Sequence, residues 1–191
     1  MSSRGYLRLG CGHKHSESVI AQWCGHTPRI DPSVFVAPSA DVIGRVSIGQ
    51  DSSIWYQAVL RGDVEEIVIG ARSNIQDHAM LHTSIGVAPC LVGDDVTIGH
   101  RVLLHGCTIG DGSLIGMGAI VMDRALVEPG CLVAAGALVT EGRVLRGGYL
   151  YAGAPAKERR PLTDEERSFL PRSAQHYIEV SRQHRDQLSP I

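Results

Sequence analysis

The sequence is poor in aromatic side chains, in paired cysteines and in charge of one sign. Only two phenylalanines and two tryptophans occur among 191 residues, so the core must consist of Val, Ile, Leu and Ala. The net charge of −2 gives no electrostatic basis for binding nucleic acid or an anionic membrane. The five cysteines are scattered without a CxxC pair, which argues against a disulfide framework or a thiolate zinc site.

Long hydrophobic runs are also missing. The N-terminal stretch lacks the apolar segment of a signal peptide, and nothing approaches the length of a membrane span. Together with the unpaired cysteines, this predicts a cytoplasmic protein with neither a nucleic-acid nor a membrane partner.

What the sequence does contain is glycine, with 22 residues, and a repeat of six. Period six matches neither the 3.6-residue period of a helix nor the alternation of a strand. It fits a coil with three short strands as sides, in which each aliphatic residue points inward and stacks on its equivalent about 4.8 Å away. The sequence therefore predicts an all-β protein, a parallel β-helix of about six coils, with an ordinary β-sandwich as the alternative. The aliphatic positions, separated by two interruptions, are Val36, Val42, Ile48, Ile54 and Leu60; Ile69, Ile75 and Leu81; and Val92, Ile98, Leu104, Ile109, Ile115, Val121, Val127, Val133, Val139 and Leu145.

The repeat divides the chain into three segments. We expect an N-terminal extension and initial strand over residues 1–30, the β-helix over 31–155, and a C-terminal α-helix over 156–191 that packs along it. Thr163 with Glu166 forms a capping-box pattern, which marks a helix start. Pro171 is expected to interrupt this helix.

The two interruptions, "RGDVEEIV" (61–68) and "HTSIGVAPCL" (82–91), are where functional loops are expected. If the second adds no side, Leu104 lies one coil after Leu81. His82 and His105 directly follow these two residues, so their imidazoles should stack about 5 Å apart, close enough to share a metal ion.

His100 belongs to the intervening side and should project near another edge of the triangle. In a threefold assembly, that edge of one chain can face the His82/His105 pair of its neighbour. This predicts a homotrimer with a three-histidine site at each subunit interface. Three imidazoles leave a tetrahedral position open for water, as in catalytic zinc sites. The alternative for each histidine is an ordinary surface or packed side chain.

Several motifs together resemble the γ-class carbonic anhydrase family, in particular its bacterial branch, over about residues 30–185. They are "LRGD" (60–63), "SNIQD" (73–77), "LH" (81–82), "IGHRVLLHGCTIG" (98–110) and "YAGAPAK" (151–157). The resemblance implies a left-handed β-helix and a homotrimer in which His82, His100 and His105 bind zinc, with iron or cobalt as possible replacements, between subunits. It also implies the reversible hydration of CO2 to bicarbonate.

The same resemblance implies roles for three further polar residues as catalytic candidates. Gln76 matches a residue that hydrogen-bonds the metal-bound water, the alternative being an exposed turn amide. Asn74 is a candidate for the pocket wall. Tyr177 matches a tyrosine of the terminal helix that reaches the pocket, and a tyrosine that merely packs this helix is the alternative.

Arg61, Asp63 and Asp77 match the family's interface set. A guanidinium between carboxylates forms bidentate hydrogen bonds, which are strong where a subunit contact excludes water. We expect these residues to organise the site, and an unrelated surface ion pair is the alternative.

The sequence departs from the family where well-studied members carry proton-transferring acids. Val64 follows Asp63, and residues 83–91 contain no acid, so weak activity is expected. His78 is a candidate substitute, with an exposed corner histidine as the alternative. Two other functions remain open at this point: an acyltransferase or thioesterase-type enzyme that uses CoA substrates, and a non-enzymatic trimer stapled by its metal.

Overall fold

The computed structural model describes residues 18–189, which form a parallel β-helix followed by one helix. The elements in this range are β1 (Val19–Ala21), β2 (Arg29–Ile30), β3 (Phe35–Val36), β4 (Asp41–Ile48), β5 (Ser53–Ile54), β6 (Val59–Ile69), β7 (Asn74–Ile75), β8 (Met80–His82), β9 (Cys90–Val92), β10 (Thr97–Ile98), β11 (Leu103–His105), β12 (Thr108–Ile109), β13 (Leu114–Ile115), β14 (Ile120–Val121), β15 (Leu126–Val127), β16 (Leu132–Val133), β17 (Leu138–Val139), β18 (Val144–Leu145), β19 (Tyr149–Ala152), β20 (Lys157–Pro161) and α1 (Asp164–Gln187). No helix within residues 18–189 is both long and apolar enough to cross a membrane.

The strands form three parallel faces. Face 1 contains β1, β4, β6, β8, β11, β14 and β17, and face 2 contains β2, β4, β6, β9, β12, β15 and β18. Face 3 contains β3, β5, β7, β10, β13, β16 and β19. The long strands β4 and β6 pass through a corner and belong to both face 1 and face 2. The predicted hexapeptide β-helix is thus confirmed.

The core is the stack of aliphatic residues that the repeat predicts. On face 3, Ile75, Ile98 and Ile115 lie in register on successive coils, and none of them is exposed to solvent. Each coil also needs close backbone approach at its corners. A Cβ added at Gly116 would lie only 2.5 Å from the backbone nitrogen of Ala135 in the next coil, so only glycine fits there.

The number of coils and the first interruption differ from the prediction. The β-helix has about seven turns, because β1 and β2 precede the first predicted side and β19 follows the last. The segment 61–68 is not a loop: it lies within the continuous strand β6, which pairs with β4. Its extra residues are absorbed by a register irregularity between Gly44 and Val46, whose partners are Gly62 and Ile67. The second interruption is a loop, over residues 83–89.

The C-terminal segment also needs correction. Residues 156–163 are not helical, since β20 pairs antiparallel with β19 before α1 begins at Asp164. The capping box of Thr163 and Glu166 is confirmed. The expected break at Pro171 is wrong, because α1 continues through it. Leu170 and Ala174, one turn apart on either side of the proline, are both buried, and α1 contacts strands of face 3. This packing offsets the lost backbone hydrogen bond.

Replacing Thr163 with alanine is expected to destabilise the protein by about 1 kcal/mol, since the hydroxyl accepts the N–H of Glu166 at 3.2 Å. Urea unfolding followed by circular dichroism, at a fixed protein concentration, measures this. Thr163→Ser retains the acceptor and serves as the control. Equal unfolding midpoints for the two variants would refute the capping role.

Candidate metal centre

Two histidines meet at the corner between faces 1 and 2. His82 ends β8 and His105 ends β11, and the two residues are direct partners in the parallel ladder. Their ring centroids are 5.2 Å apart, and Nδ1 of His82 lies 3.2 Å from Nε2 of His105. The structure therefore places the two imidazoles as the counting of sides predicts.

Each imidazole is held on its other nitrogen by a carboxylate. Nε2 of His82 lies 3.0 Å from Oδ1 of Asp63, and Nδ1 of His105 lies 2.8 Å from Oδ1 of Asp123. Because a carboxylate only accepts hydrogen bonds, these ring nitrogens must carry the protons. In neutral imidazoles the two nitrogens that face each other are then both bare lone pairs.

This donor set fits a metal ion. Two lone pairs 3.2 Å apart repel each other unless a proton or a metal ion lies between them. Two nitrogens bound to one tetrahedral zinc lie about 3.3–3.4 Å apart, given zinc–nitrogen bonds of about 2.0–2.1 Å. Carboxylates on the outer nitrogens are also the usual support of metal-binding histidines. The pair is thus suited to donate two ligands to a metal ion.

The Asp63 carboxyl beside His82 has a lowered pKa and is ionised at neutral pH. Burial alone raises the pKa of a carboxyl, but hydrogen bonds from Arg61 and His82 outweigh it and hold the pKa of Asp63 below its usual value. Nη1 of Arg61 donates to Oδ2 of the same carboxylate, so Arg61, Asp63 and His82 form one continuous chain.

His100 lies at the other edge of face 1, at the corner with face 3. Its Nδ1 lies 2.9 Å from Oδ2 of Asp77, so this imidazole also has a carboxylate on one nitrogen and leaves Nε2 available. Within residues 18–189 of a single chain, no group of three or more His, Cys, Asp or Glu side chains is arranged to hold a metal. One chain therefore brings His82 and His105 together, with Arg61, Asp63 and Asp123, and keeps His100 and Asp77 apart from them.

Gln76 and Asn74 are buried beside the His100 edge, so Gln76 is not an exposed turn amide. Nε2 of Gln76 donates to Oδ1 of Asn74 at 3.0 Å, and Nδ2 of Asn74 donates to the Thr97 hydroxyl at 3.1 Å. The Thr97 hydroxyl in turn lies 3.0 Å from that of Ser173 on α1. This series of side-chain hydrogen bonds fixes the Gln76 amide and connects it to α1.

Tyr177 packs α1 against the β-helix and also lines a cavity. Its ring packs edge-on against Trp55, with centroids 5.4 Å apart, which holds α1 on face 3. It also lines a cavity of about 550 Å³ together with Gln76, His100, Met117 and others. Burial, and secondarily the charge of Asp77, raise the pKa of Tyr177, so its phenol is protonated at neutral pH.

Asp123 is not among the site residues predicted from the sequence, and residues 83–91 contain no acid. Asp123 stands beside Gly106 in the coil after His105, so a carboxylate one coil beyond a histidine was the available signal. Glu65, one residue after Val64, accepts the Gly86 N–H of the loop at 3.0 Å. His78 is exposed at a corner with a left-handed backbone (φ 59°).

The fold and site define a class of protein, a hexapeptide β-helix with a carboxylate-supported histidine pair. Comparison with known proteins agrees with the hexapeptide β-helix. The family described as bacterial transferase hexapeptide (six repeats) matches residues 106–141. "Gamma carbonic anhydrase 2, mitochondrial" of Arabidopsis thaliana is 47% identical over 163 residues, which are 83% of this chain and 59% of that protein. The chain thus spans less than two thirds of that relative's length.

Two further similarities cover more of the related protein. "Probable carbonic anhydrase" of Methanocaldococcus jannaschii is 49% identical over 80% of this chain and 95% of that protein. The crystal structure of a hexapeptide transferase family protein from Anaplasma phagocytophilum superposes with a TM-score of 0.84 at 46% identity, covering 87% of this chain and 98% of that one. The chain belongs to the γ-carbonic anhydrase family of hexapeptide-repeat proteins.

Proposed function

We propose that the protein is a metal-dependent lyase that reversibly hydrates CO2 to bicarbonate as a homotrimer. The observation that carries the proposal is the His82/His105 pair, whose bare nitrogens lie 3.2 Å apart while carboxylates hold the opposite nitrogens. Zinc is the proposed metal, and imidazole also suits iron and cobalt. Relatives named carbonic anhydrase support the reaction.

The incomplete ligand set of one chain supports a shared site. The pair lies at one edge of face 1 and His100 at the other. Between them the outer surface of this face is apolar: Met80 is 44% and Ile120 39% exposed, and Leu103 and Leu138 complete the row. A neighbouring chain packed here buries this surface and carries its His100 to the pair.

The roles of the protein's own residues follow from their contacts. The bound metal supplies Lewis acidity, which makes water a nucleophile near neutral pH. Asp63, Asp77 and Asp123 orient the three imidazoles. Gln76, fixed through Asn74, offers its amide to orient the water, and the apolar cavity wall beside His100 suits a small uncharged substrate such as CO2.

Export of the proton is expected to limit the rate. Val64 is apolar, Asp63 before it is held by Arg61 and His82, and Glu65 after it is engaged with the backbone of Gly86. A slow enzyme is therefore expected, in which metal binding is tight but hydration is modest.

The test joins metal analysis to a CO2-hydration assay on protein purified without air and reloaded with zinc, cobalt or iron. The proposal predicts about one metal per chain and hydration above the uncatalysed rate, both lost in His105→Ala. His78→Ala is the matched control and is expected to keep both. Because the Anaplasma protein is described as a transferase, CoA binding is measured in parallel. CoA binding without stoichiometric metal would replace the hydratase proposal with an acyltransferase, and metal without hydration would leave a metal-stapled trimer.

A further inference from the structure

Three times in this β-helix, an aspartate of one coil lies directly against the backbone of a glycine in the preceding coil. A Cβ added at Gly70 would lie 2.4 Å from Oδ1 of Asp94, and one added at Gly93 would lie 2.1 Å from Oδ1 of Asp111. In both cases this Oδ1 accepts a backbone N–H. Asp94 accepts the N–H of Ala71 at 2.8 Å, and Asp111 accepts the N–H of Asp94 at 2.9 Å.

The third contact has a different function. A Cβ added at Gly106 would lie 2.2 Å from Oδ1 of Asp123, and this oxygen lies 2.8 Å from Nδ1 of His105 instead of a backbone N–H. Gly106 also has a left-handed backbone (φ 49°), with its N–H donating to the His82 carbonyl at 3.0 Å. Its carbonyl accepts from the N–H of Arg124 at 2.7 Å. Gly106 therefore links three coils and leaves room for the carboxylate beneath the histidine.

The other oxygen of Asp123 reaches the loop after β8. The Ser84 hydroxyl donates to Oδ2 of Asp123 at 3.4 Å, while Oδ1 holds His105. Asp123 is 21% exposed and His105 29% exposed, so water competes only partly for this hydrogen bond. One carboxylate thus fixes both an imidazole of the proposed centre and the loop beside it.

We infer that Asp123, admitted by the bare Cα of Gly106, is a positioning residue of the metal centre. It holds His105 in the tautomer that has Nε2 free, and it aims Nε2 at Nδ1 of His82. This inference rests on the proposed function, because it assigns to Asp123 the support of a ligand to that metal. Outer carboxylates of this kind are worth about 10- to 100-fold in metal affinity.

The experiment measures zinc affinity by competition with a chromogenic chelator, on wild type, Asp123→Ala and Asp123→Asn. Asp123→Ala is expected to bind zinc about 10- to 100-fold more weakly. Asp123→Asn retains an oxygen acceptor without its charge and should fall between the other two. Asp111→Asn changes the equivalent contact at Gly93, where the carboxylate holds no histidine. This variant is therefore expected to bind zinc as the wild type does.

Gly106→Ala provides a second route to the same site, since its methyl group displaces the carboxylate while His105 stays intact. It should weaken zinc binding to a similar degree, and the double variant with Asp123→Ala should bind no more weakly than Asp123→Ala alone. The visible absorption spectrum of the cobalt-loaded protein reports ligand geometry directly, and it should change in Asp123→Ala but not in Asp111→Asn.

The outcomes separate this inference from the proposal on which it rests. Wild-type zinc affinity and an unchanged cobalt spectrum in Asp123→Ala would overturn the inference and leave the proposed function intact. An equal loss in Asp111→Asn would show a general effect of the coil and would also overturn it. Failure of the wild-type protein to bind any metal would overturn both.

Discussion

His100→Ala and His105→Ala chains, assembled together at equal amounts, are expected to bind about a quarter of the wild-type metal, whereas either variant alone binds almost none. With random assembly of trimers, about three quarters contain both chains, and each mixed trimer has one complete site out of three. The complete site combines His100 of one chain with the His82/His105 pair of the other. Complementation arises only if the ligands come from different subunits.

The measurement is metal analysis on trimers that carry two different affinity tags after coexpression, purified over both tags in turn. In these selected trimers about a third of the sites should be filled. His82→Ala coexpressed with His105→Ala is the control, because both substitutions damage the same pair and no mixture of these chains restores it. Recovery in this control, or full metal content in His100→Ala alone, would contradict the shared site.

Ile98→Ala is expected to lower the free energy of unfolding by about 2–5 kcal/mol, the second large effect. Ile98 is fully buried, with Ile75 below and Ile115 above it in register, so its removal leaves a cavity between two coils that the backbone ladder keeps from closing. Urea unfolding at fixed protein concentration measures the loss, since the stability of an oligomer depends on concentration.

Val144→Ala is the control for this substitution, because Val144 is 50% exposed on face 2. Its effect is expected to stay within about 0.5 kcal/mol. Equal losses for Ile98→Ala and Val144→Ala would show that the interior stack is not what stabilises the coils.

The repeat predicts the fold well because one rule, an inward aliphatic residue on every side, is applied in almost every coil. The same rule gives the register of His82 with His105, since both follow an inward leucine. Where a segment does not follow this rule, the prediction of its structure from the sequence failed. The corner within β6 absorbs extra residues, and α1 continues through Pro171, and both outcomes depend on pairing and packing with distant segments.

Asp123 was missed for another reason. The repeat places Asp123 one coil beyond His105, but the spacing does not give the direction of its side chain. The approach to Gly106 across the coil boundary turns the carboxylate towards His105. Likewise, Gln76 was predicted as a candidate from a resemblance. Its burial and its hydrogen bond to Asn74 depend on how the folded chain packs, so they could not be deduced from spacing.

The parallel pairing of β8 with β11 has a consequence for how the centre tolerates change. His82 and His105 are neighbours across a backbone ladder, so the distance between their rings is set by strand spacing, which is the same in every parallel β-sheet. Core substitutions that loosen the stack should therefore lower the melting temperature well before they alter the ligand geometry. Substitutions that accumulate within the β-helix should therefore leave the distance between the two histidine rings almost constant.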